Sequence, residues 1–312
     1  MAMRKRSTSS WASRSEALFA ACGLAILSLA GCSGTSPERP ELVWGRRGVQ
    51  PGDLARPRAI AIDRQDRVYV VDFTARVQVF DADGRHLGLT WTTPDYRDGR
   101  PSGLSIDRDG HLLVSDSHYH CVRVYTPEGR LLRTLGSGLG LGYVSHAVQD
   151  EDGSYYLSEY GEKQRITKLD RDGKRLKEWG EAGVGPGQFS RPRALALGPD
   201  GRLYVADACN HRIQVFERDG TFVTMWGEAG TEPGQLSYPY DLAFAATGEL
   251  YVVEYDNHRV QKFTKDGRSL GCWGSPGREP GKLHNPWGVA VDSRGRVHVV
   301  DTENHRVQRI RF

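Results

Sequence analysis

The sequence has little excess charge of either sign. Its 312 residues include 42 Lys and Arg against 39 Asp and Glu, a formal net charge of +3 at pH 7. Four of the basic residues and one of the acidic residues lie in residues 1–31, so the chain from Cys32 onward carries 38 of each. Domains that bind nucleic acids usually carry a marked positive surplus. The balance therefore disfavours nucleic acid as a partner.

Cysteine is also scarce, with five residues in the chain. Three of them, Cys121, Cys209 and Cys272, follow Cys32. An odd number cannot pair completely in disulfides, and cysteine packs well as a small apolar side chain. We therefore interpret the three as packing residues, and we expect no metal site and no cofactor.

No hydrophobic run is long enough to span a membrane. The longest, Ala17–Ala30, has 14 residues, which as a helix rise about 21 Å, less than the roughly 30 Å of a bilayer core. A short apolar run after a basic N terminus is typical of a signal peptide. The run ends in Leu29-Ala30-Gly31-Cys32, which resembles the lipobox of bacterial lipoproteins. The alternative is a cytosolic protein with an apolar N terminus.

The lipobox resemblance implies that residues 1–31 are removed and that Cys32 receives acyl chains. Residues 32–40 would then form a lipidated tether, and the membrane would be a partner through Cys32. Position 33 is Ser rather than Asp, which in Gram-negative lipoproteins favours the outer membrane. We therefore expect an exported, lipid-anchored protein that faces the periplasm or the cell surface.

From Val43 onward the sequence repeats itself six times. Each copy has short runs of alternating apolar residues separated by Gly-containing turns, a pattern typical of β-hairpins. The second run of each copy ends in an acidic residue, and these residues recur every 43 to 48 positions, the period of a propeller blade. They are Asp72, Asp116, Glu159, Asp207, Glu254 and Asp301. The repeat predicts an all-β, six-bladed propeller with four-stranded antiparallel blades.

The strand count predicts how the ring closes. The last copy stops at Phe312 after three strands, while residues 41–45 match the Trp-Gly fourth-strand ending but precede the first copy. We expect strand 41–45 to complete the last blade and to remove the open sheet edges. Residues 41–312 then form one propeller.

Three copies contain Asn-His-Arg, at 210–212, 257–259 and 304–306. These residues resemble the NHL repeat, most strongly in blades 4, 5 and 6. The resemblance implies a propeller but leaves the function open. We interpret the Asn-His-Arg segments and the recurrent acidic residues as turn chemistry.

One residue of each copy is expected at the mouth of the central channel, on the face that carries the Asn-His-Arg turns. Two opposite arginines with an aromatic pair could hold a carboxylate, a phosphate or a sugar. Alternatively, the arginines bond loop carbonyls and the aromatic rings plug the channel. The six candidate binding residues are Arg58, Ser102, Ser145, Arg193, Tyr240 and Trp287.

The loops that lead into blades 2 and 3 depart from the internal consensus. Such departures occur where a segment has a role besides folding, although ordinary repeat decay explains them equally. The weaker binding candidates in these segments are Asp95, Tyr96, Arg97, Arg100, Tyr143 and His146.

NHL-type chains also resemble the peptidyl-amidoglycolate lyases, whose zinc is held by three histidines that directly follow the Pro opening an innermost strand. The six corresponding positions of this chain carry no histidine, so we do not expect that activity. The function expected is binding of an envelope protein, peptide or glycan. The alternative is an exported lyase or hydrolase with its site at the channel mouth near blades 2 and 3.

Overall fold

The computed structural model describes residues 39–94 and 101–312. The expected signal peptide, the lipidation candidate Cys32 and the loop candidates Asp95, Tyr96, Arg97 and Arg100 lie outside the described residues. Within the described ranges, no helix is both long and apolar enough to cross a bilayer.

The described chain forms six four-stranded antiparallel sheets, each a meander of consecutive strands except the last. Blade 1 consists of β2 (Pro57–Ile62), β3 (Val68–Asp72), β4 (Arg76–Phe80) and β5 (His86–Thr92). Blade 2 consists of β6 (Pro101–Ile106), β7 (Leu112–Asp116), β8 (Cys121–Tyr125) and β9 (Leu131–Leu135). Blade 3 consists of β10 (Tyr143–Gln149), β11 (Tyr155–Tyr160), β12 (Arg165–Leu169) and β13 (Arg175–Trp179). Blade 4 consists of β14 (Pro192–Leu197), β15 (Leu203–Asp207), β16 (Arg212–Phe216) and β17 (Phe222–Trp226). Blade 5 consists of β18 (Pro239–Phe244), β19 (Leu250–Glu254), β20 (Arg259–Phe263) and β21 (Ser269–Trp273). Blade 6 consists of β22 (Gly288–Val291), β23 (Val297–Asp301), β24 (Arg306–Ile310) and β1 (Leu42–Trp44). The predicted all-β, six-bladed propeller is confirmed.

The ring closes through its N-terminal strand, as the strand count predicts. Strand β1 pairs antiparallel with β24, with Leu42 opposite Arg309 and Trp44 opposite Val307. The Trp44 side chain is 7% exposed, and its ring centroid lies 4.5 Å from that of Phe80 in blade 1. Closure therefore joins the first and last strands of the propeller and packs blade 6 against blade 1.

The hydrophobic core lies between neighbouring blades. One cluster joins Val300 and Val307 of blade 6 to Ile60 and Val70 of blade 1, and another joins blades 4 and 5. Successive side chains of a strand point to opposite faces of its sheet, so each sheet presents apolar side chains to both neighbouring blades.

The three Asn-His-Arg turns, in blades 4, 5 and 6, each connect their blade to the next one around the ring. His211, His258 and His305 have left-handed backbones with φ of 52° to 57°. Their Nδ1 atoms accept hydrogen bonds from Tyr238 N–H, Asn285 N–H and Arg56 N–H, at 3.2, 2.9 and 3.0 Å. The structural role expected of this motif is confirmed.

The recurrent acidic residues bind turn N–H groups, again as expected. Asp301 is fully buried; it accepts from His284 N–H at 2.7 Å and from Arg306 Nε at 2.6 Å. Glu254 makes the corresponding bonds in blade 5, with Ser237 N–H and Arg259 Nε.

Candidate functional site

The innermost strands begin at one end of the channel, which we call the top face. It carries the turns between second and third strands and the inter-blade loops. Arg58 of blade 1 and Arg193 of blade 4 lie on opposite sides of the channel, and both reach Trp287 of blade 6. The Arg58 and Arg193 guanidinium carbons are 4.7 and 5.7 Å from the Trp287 ring centroid. Arg193 also lies 4.5 Å from the Tyr240 centroid. We call these four residues the mouth.

The two serine candidates, Ser102 and Ser145, donate hydrogen bonds to backbone carbonyls of the next blade. Ser102 Oγ donates towards Ser145 O at 3.3 Å, and Ser145 Oγ donates to Pro192 O at 2.8 Å. Both side chains are buried, at 8% and 1% exposure. Their hydroxyls therefore link blades 2, 3 and 4 to one another, and the mouth consists of the other four residues.

The mouth is part of a continuous row of rings across the top face, which we call the ring track. Tyr240 stacks on Tyr255 at 4.9 Å, Tyr160 lies 5.4 Å from Tyr143, and Tyr143 stacks on His120 at 5.1 Å. The guanidiniums of Arg58 and Arg193 connect the remaining rings, with Arg58 over Phe73 and Arg193 over Tyr160. The ring track comprises Phe73, Trp287, Tyr255, Tyr240, Tyr160, Tyr143 and His120.

Four ring-track members, Phe73, Tyr160, Tyr255 and His120, do not appear among the sequence candidates. Phe73, Tyr160 and Tyr255 each directly follow a recurrent acidic residue, namely Asp72, Glu159 and Glu254. That register position could have identified them, because the second strand of each blade ends at the acid and the following residue lies on the top face. The candidate Tyr143 does belong to the ring track and is 41% exposed. Its ring helps to line a cavity of about 200 Å³ together with Lys163.

Arg193 is unusual among the buried arginines. It is 6% exposed, and Nε forms no hydrogen bond. Its guanidinium lies over the rings of Tyr160, Tyr240 and Trp287. Arg296, also 6% exposed, instead pairs with Asp292 at 2.7 Å. A buried cation without an acceptor is costly, so Arg193 needs an explanation beyond folding.

Below the mouth, a cavity of about 300 Å³ follows the channel, and the candidate His146 lies in its wall. Leu195 N–H donates to His146 Nδ1 at 3.3 Å, so the ring proton lies on Nε2, which donates to Leu104 O at 3.1 Å. Burial lowers the pKa of His146 to about 4. The ring is therefore neutral and connects blades 2, 3 and 4.

Asp241 lines the same cavity and is 9% exposed. Its carboxylate accepts from Leu242 N–H at 2.9 Å and from Val289 N–H at 3.0 Å. Burial raises the pKa of Asp241 to about 7, although these hydrogen bonds and the nearby charge of Arg193 oppose the rise. Asp241 thus connects blades 5 and 6 and places a titratable group near Arg193.

The residues at the mouth do not fit a catalytic zinc. Such a site needs three protein ligands, and the six positions at the innermost strand starts carry arginine, serine, tyrosine and tryptophan. His146, one position further along, has both ring nitrogens bonded to backbone groups. Within residues 39–94 and 101–312, no group of three His, Cys, Asp or Glu residues could hold a metal ion.

Four segments of the chain match the NHL repeat: residues 99–125, 189–216, 236–263 and 283–310. They correspond to blades 2, 4, 5 and 6, so the chain carries NHL repeats in the blades where the resemblance is strongest and also in blade 2.

Two curated mouse proteins resemble part of the chain. Peptidyl-glycine alpha-amidating monooxygenase of Mus musculus is 30% identical over 191 residues, which are 56% of this chain and 18% of that protein. NHL repeat-containing protein 3 of Mus musculus is 32% identical over 165 residues, 47% of this chain and 48% of that protein. The chain therefore spans less than half the length of either relative.

A solved streptogramin B lyase structure superposes on the chain with a TM-score of 0.62, covering 85% of this chain and 95% of the lyase. The sequence identity is 15%, so this likeness concerns the fold alone.

Proposed function

We propose that this protein is a lipid-anchored binding module of the cell envelope whose top face binds a protein, peptide or glycan. The observation that carries the proposal is the ring track, which joins seven rings and two guanidiniums across one face of a rigid propeller. Aromatic and arginine side chains are enriched where proteins bind partners. Loops held by a rigid scaffold are a common place for such sites.

The chemistry of the titratable groups favours binding over catalysis. His146 and Asp241 line the channel below the mouth, but each bonds to backbone groups of neighbouring blades. A general acid or base needs a side chain within hydrogen-bond reach of the reacting group. The neutral charge balance beyond Cys32 favours partners other than nucleic acids.

Photocrosslinking from opposite faces of one blade tests the binding surface. A benzoylphenylalanine at Tyr143 of the top face is expected to form adducts in the envelope of producing cells. The matched control places the same residue at Asp172, which is exposed in the turn between β12 and β13 of blade 3, on the opposite face. Adducts from position 172 alone, or equally from both positions, would contradict the proposal.

The lipid anchor has its own test. The change Cys32→Ala is expected to abolish incorporation of labelled palmitate, because it removes the thiol that would carry the acyl chain. The control is Cys22→Ala, which removes a cysteine inside the expected signal peptide and should leave labelling unchanged. Full labelling of the Cys32→Ala protein would refute the anchor.

A further inference from the structure

Arg193 carries a positive charge at a buried position, and its Nε–H group has no acceptor among the described residues. Its side chain is 6% exposed, Nε is unbonded, and no described residue forms a hydrogen bond or ion pair with it. Aromatic faces on three sides attract the cation but accept no conventional hydrogen bond. The buried Nε–H group of Arg193 therefore has no acceptor within the described chain.

Arg193 lies beside partly exposed residues at the top end of the channel. Arg193 is at the start of β14, at the top end of the channel, and Trp287 above it is half-buried. Tyr240 and Trp287 confine the approach, with guanidinium-to-ring distances of 4.5 and 5.7 Å.

We propose that the mouth is an oxyanion receptor in which Arg193 binds a terminal carboxylate or phosphate group and Trp287 and Tyr240 contact the adjoining part of the ligand. Guanidinium binds both anions through two parallel N–H···O bonds. This inference rests on the proposed function, because it assigns ligand chemistry to the centre of the ring track. A ring or acyl group next to the anion would lie against Trp287.

Asp241 directly follows Tyr240 of the mouth and lines the cavity below it, so its carboxyl group is placed to make the receptor sensitive to pH. The groups that face its carboxylate are Arg193 from β14 and the N–H groups of Leu242 and Val289. His146, from β10, also feels the charge of Arg193 but stays neutral above pH 6 because its pKa is about 4. Ionised Asp241 repels a bound anion, whereas protonated Asp241 does not. Since the pKa of Asp241 is about 7 and a bound anion raises it further, affinity rises as the pH falls towards 7 and levels off below it.

Calorimetric titration with benzoate and with phenyl phosphate tests the receptor. Both anions are expected to bind the wild-type protein, and Arg193→Met should weaken binding at least about 50-fold, corresponding to loss of a charged bidentate contact. Arg193→Lys should retain part of the affinity, because lysine keeps the positive charge but lacks the planar guanidinium that donates two parallel hydrogen bonds. The control Arg85→Met removes an exposed arginine of the opposite face and should leave binding unchanged. Preference for one anion identifies carboxylate or phosphate as the natural group.

The pH arm uses benzoate, which stays ionised from pH 6 to 8.5. Benzoate is expected to bind the wild-type protein about 5- to 10-fold more tightly at pH 6 than at pH 8.5. The Asp241→Asn protein should bind benzoate at both pH values as tightly as the wild type does at pH 6. Equal affinities of wild type and Arg193→Met would overturn the receptor. If crosslinking from position 143 persists in that case, the top face still binds a partner and only the oxyanion assignment fails.

Discussion

Replacing Trp44 with alanine is expected to lower the free energy of unfolding by about 3–5 kcal/mol, the usual cost of removing a buried tryptophan. The indole packs on Phe80 and belongs to the core between blades 6 and 1. It also lies on the single strand that completes the last blade. Losing it weakens one interface at the point where the two chain ends meet, and chemical denaturation monitored by circular dichroism measures the loss.

The control for Trp44 is Val49→Ala. Val49 lies five residues further along and is 65% exposed, so its truncation should change stability by less than about 0.5 kcal/mol. If Trp44→Ala were as mild as Val49→Ala, the N-terminal strand would not be part of the closed ring.

Two buried charged residues, Asp301 and Arg193, are expected to differ strongly in how much their substitution costs in stability. Asp301→Ala should cost about 3–5 kcal/mol, since breaking a buried pair leaves a buried charge uncompensated. Asp301 accepts from Arg306, Gln308 and the His284 N–H. Arg193→Met should change stability by less than about 1 kcal/mol, because no hydrogen bond or ion pair is lost and the thioether keeps favourable contacts with the rings.

Asp301→Glu is the matched control, since blade 5 carries Glu254 at the same position with the same kinds of partner. It should retain most of the stability that Asp301→Ala loses, as thermal melts of the variants would report. Should Arg193→Met destabilise the protein as strongly as Asp301→Ala, Arg193 would be a structural residue and the receptor would lose its main support.

The sequence predicts the fold well because the same pattern of apolar runs, turns and acidic residues recurs in every blade. The six acidic positions fix the register of every blade, and the missing strand after Phe312 identifies residues 41–45 as its replacement. The paired strand is Leu42–Trp44, within those bounds. Local alternation and strand counting suffice here, because antiparallel meanders leave few other arrangements.

The site is only partly predictable from the sequence. Register places Arg58, Arg193, Tyr240 and Trp287 at the mouth, but it does not show that one indole lies between arginines of opposite blades. Nor does it show that Ser102 and Ser145 turn their hydroxyls to the carbonyls of the next blade. Rotamers at a channel mouth depend on contacts across the ring, such as that between Arg58 and Trp287, which are 229 residues apart.

Crystals soaked with 4-bromobenzoate test the central claim most directly, because the anomalous signal of bromine locates the ligand without bias. We expect the carboxylate on the Arg193 guanidinium and the ring against Trp287 at the mouth. Bromine bound instead among the arginines of the opposite face, with the mouth unchanged, would contradict the account.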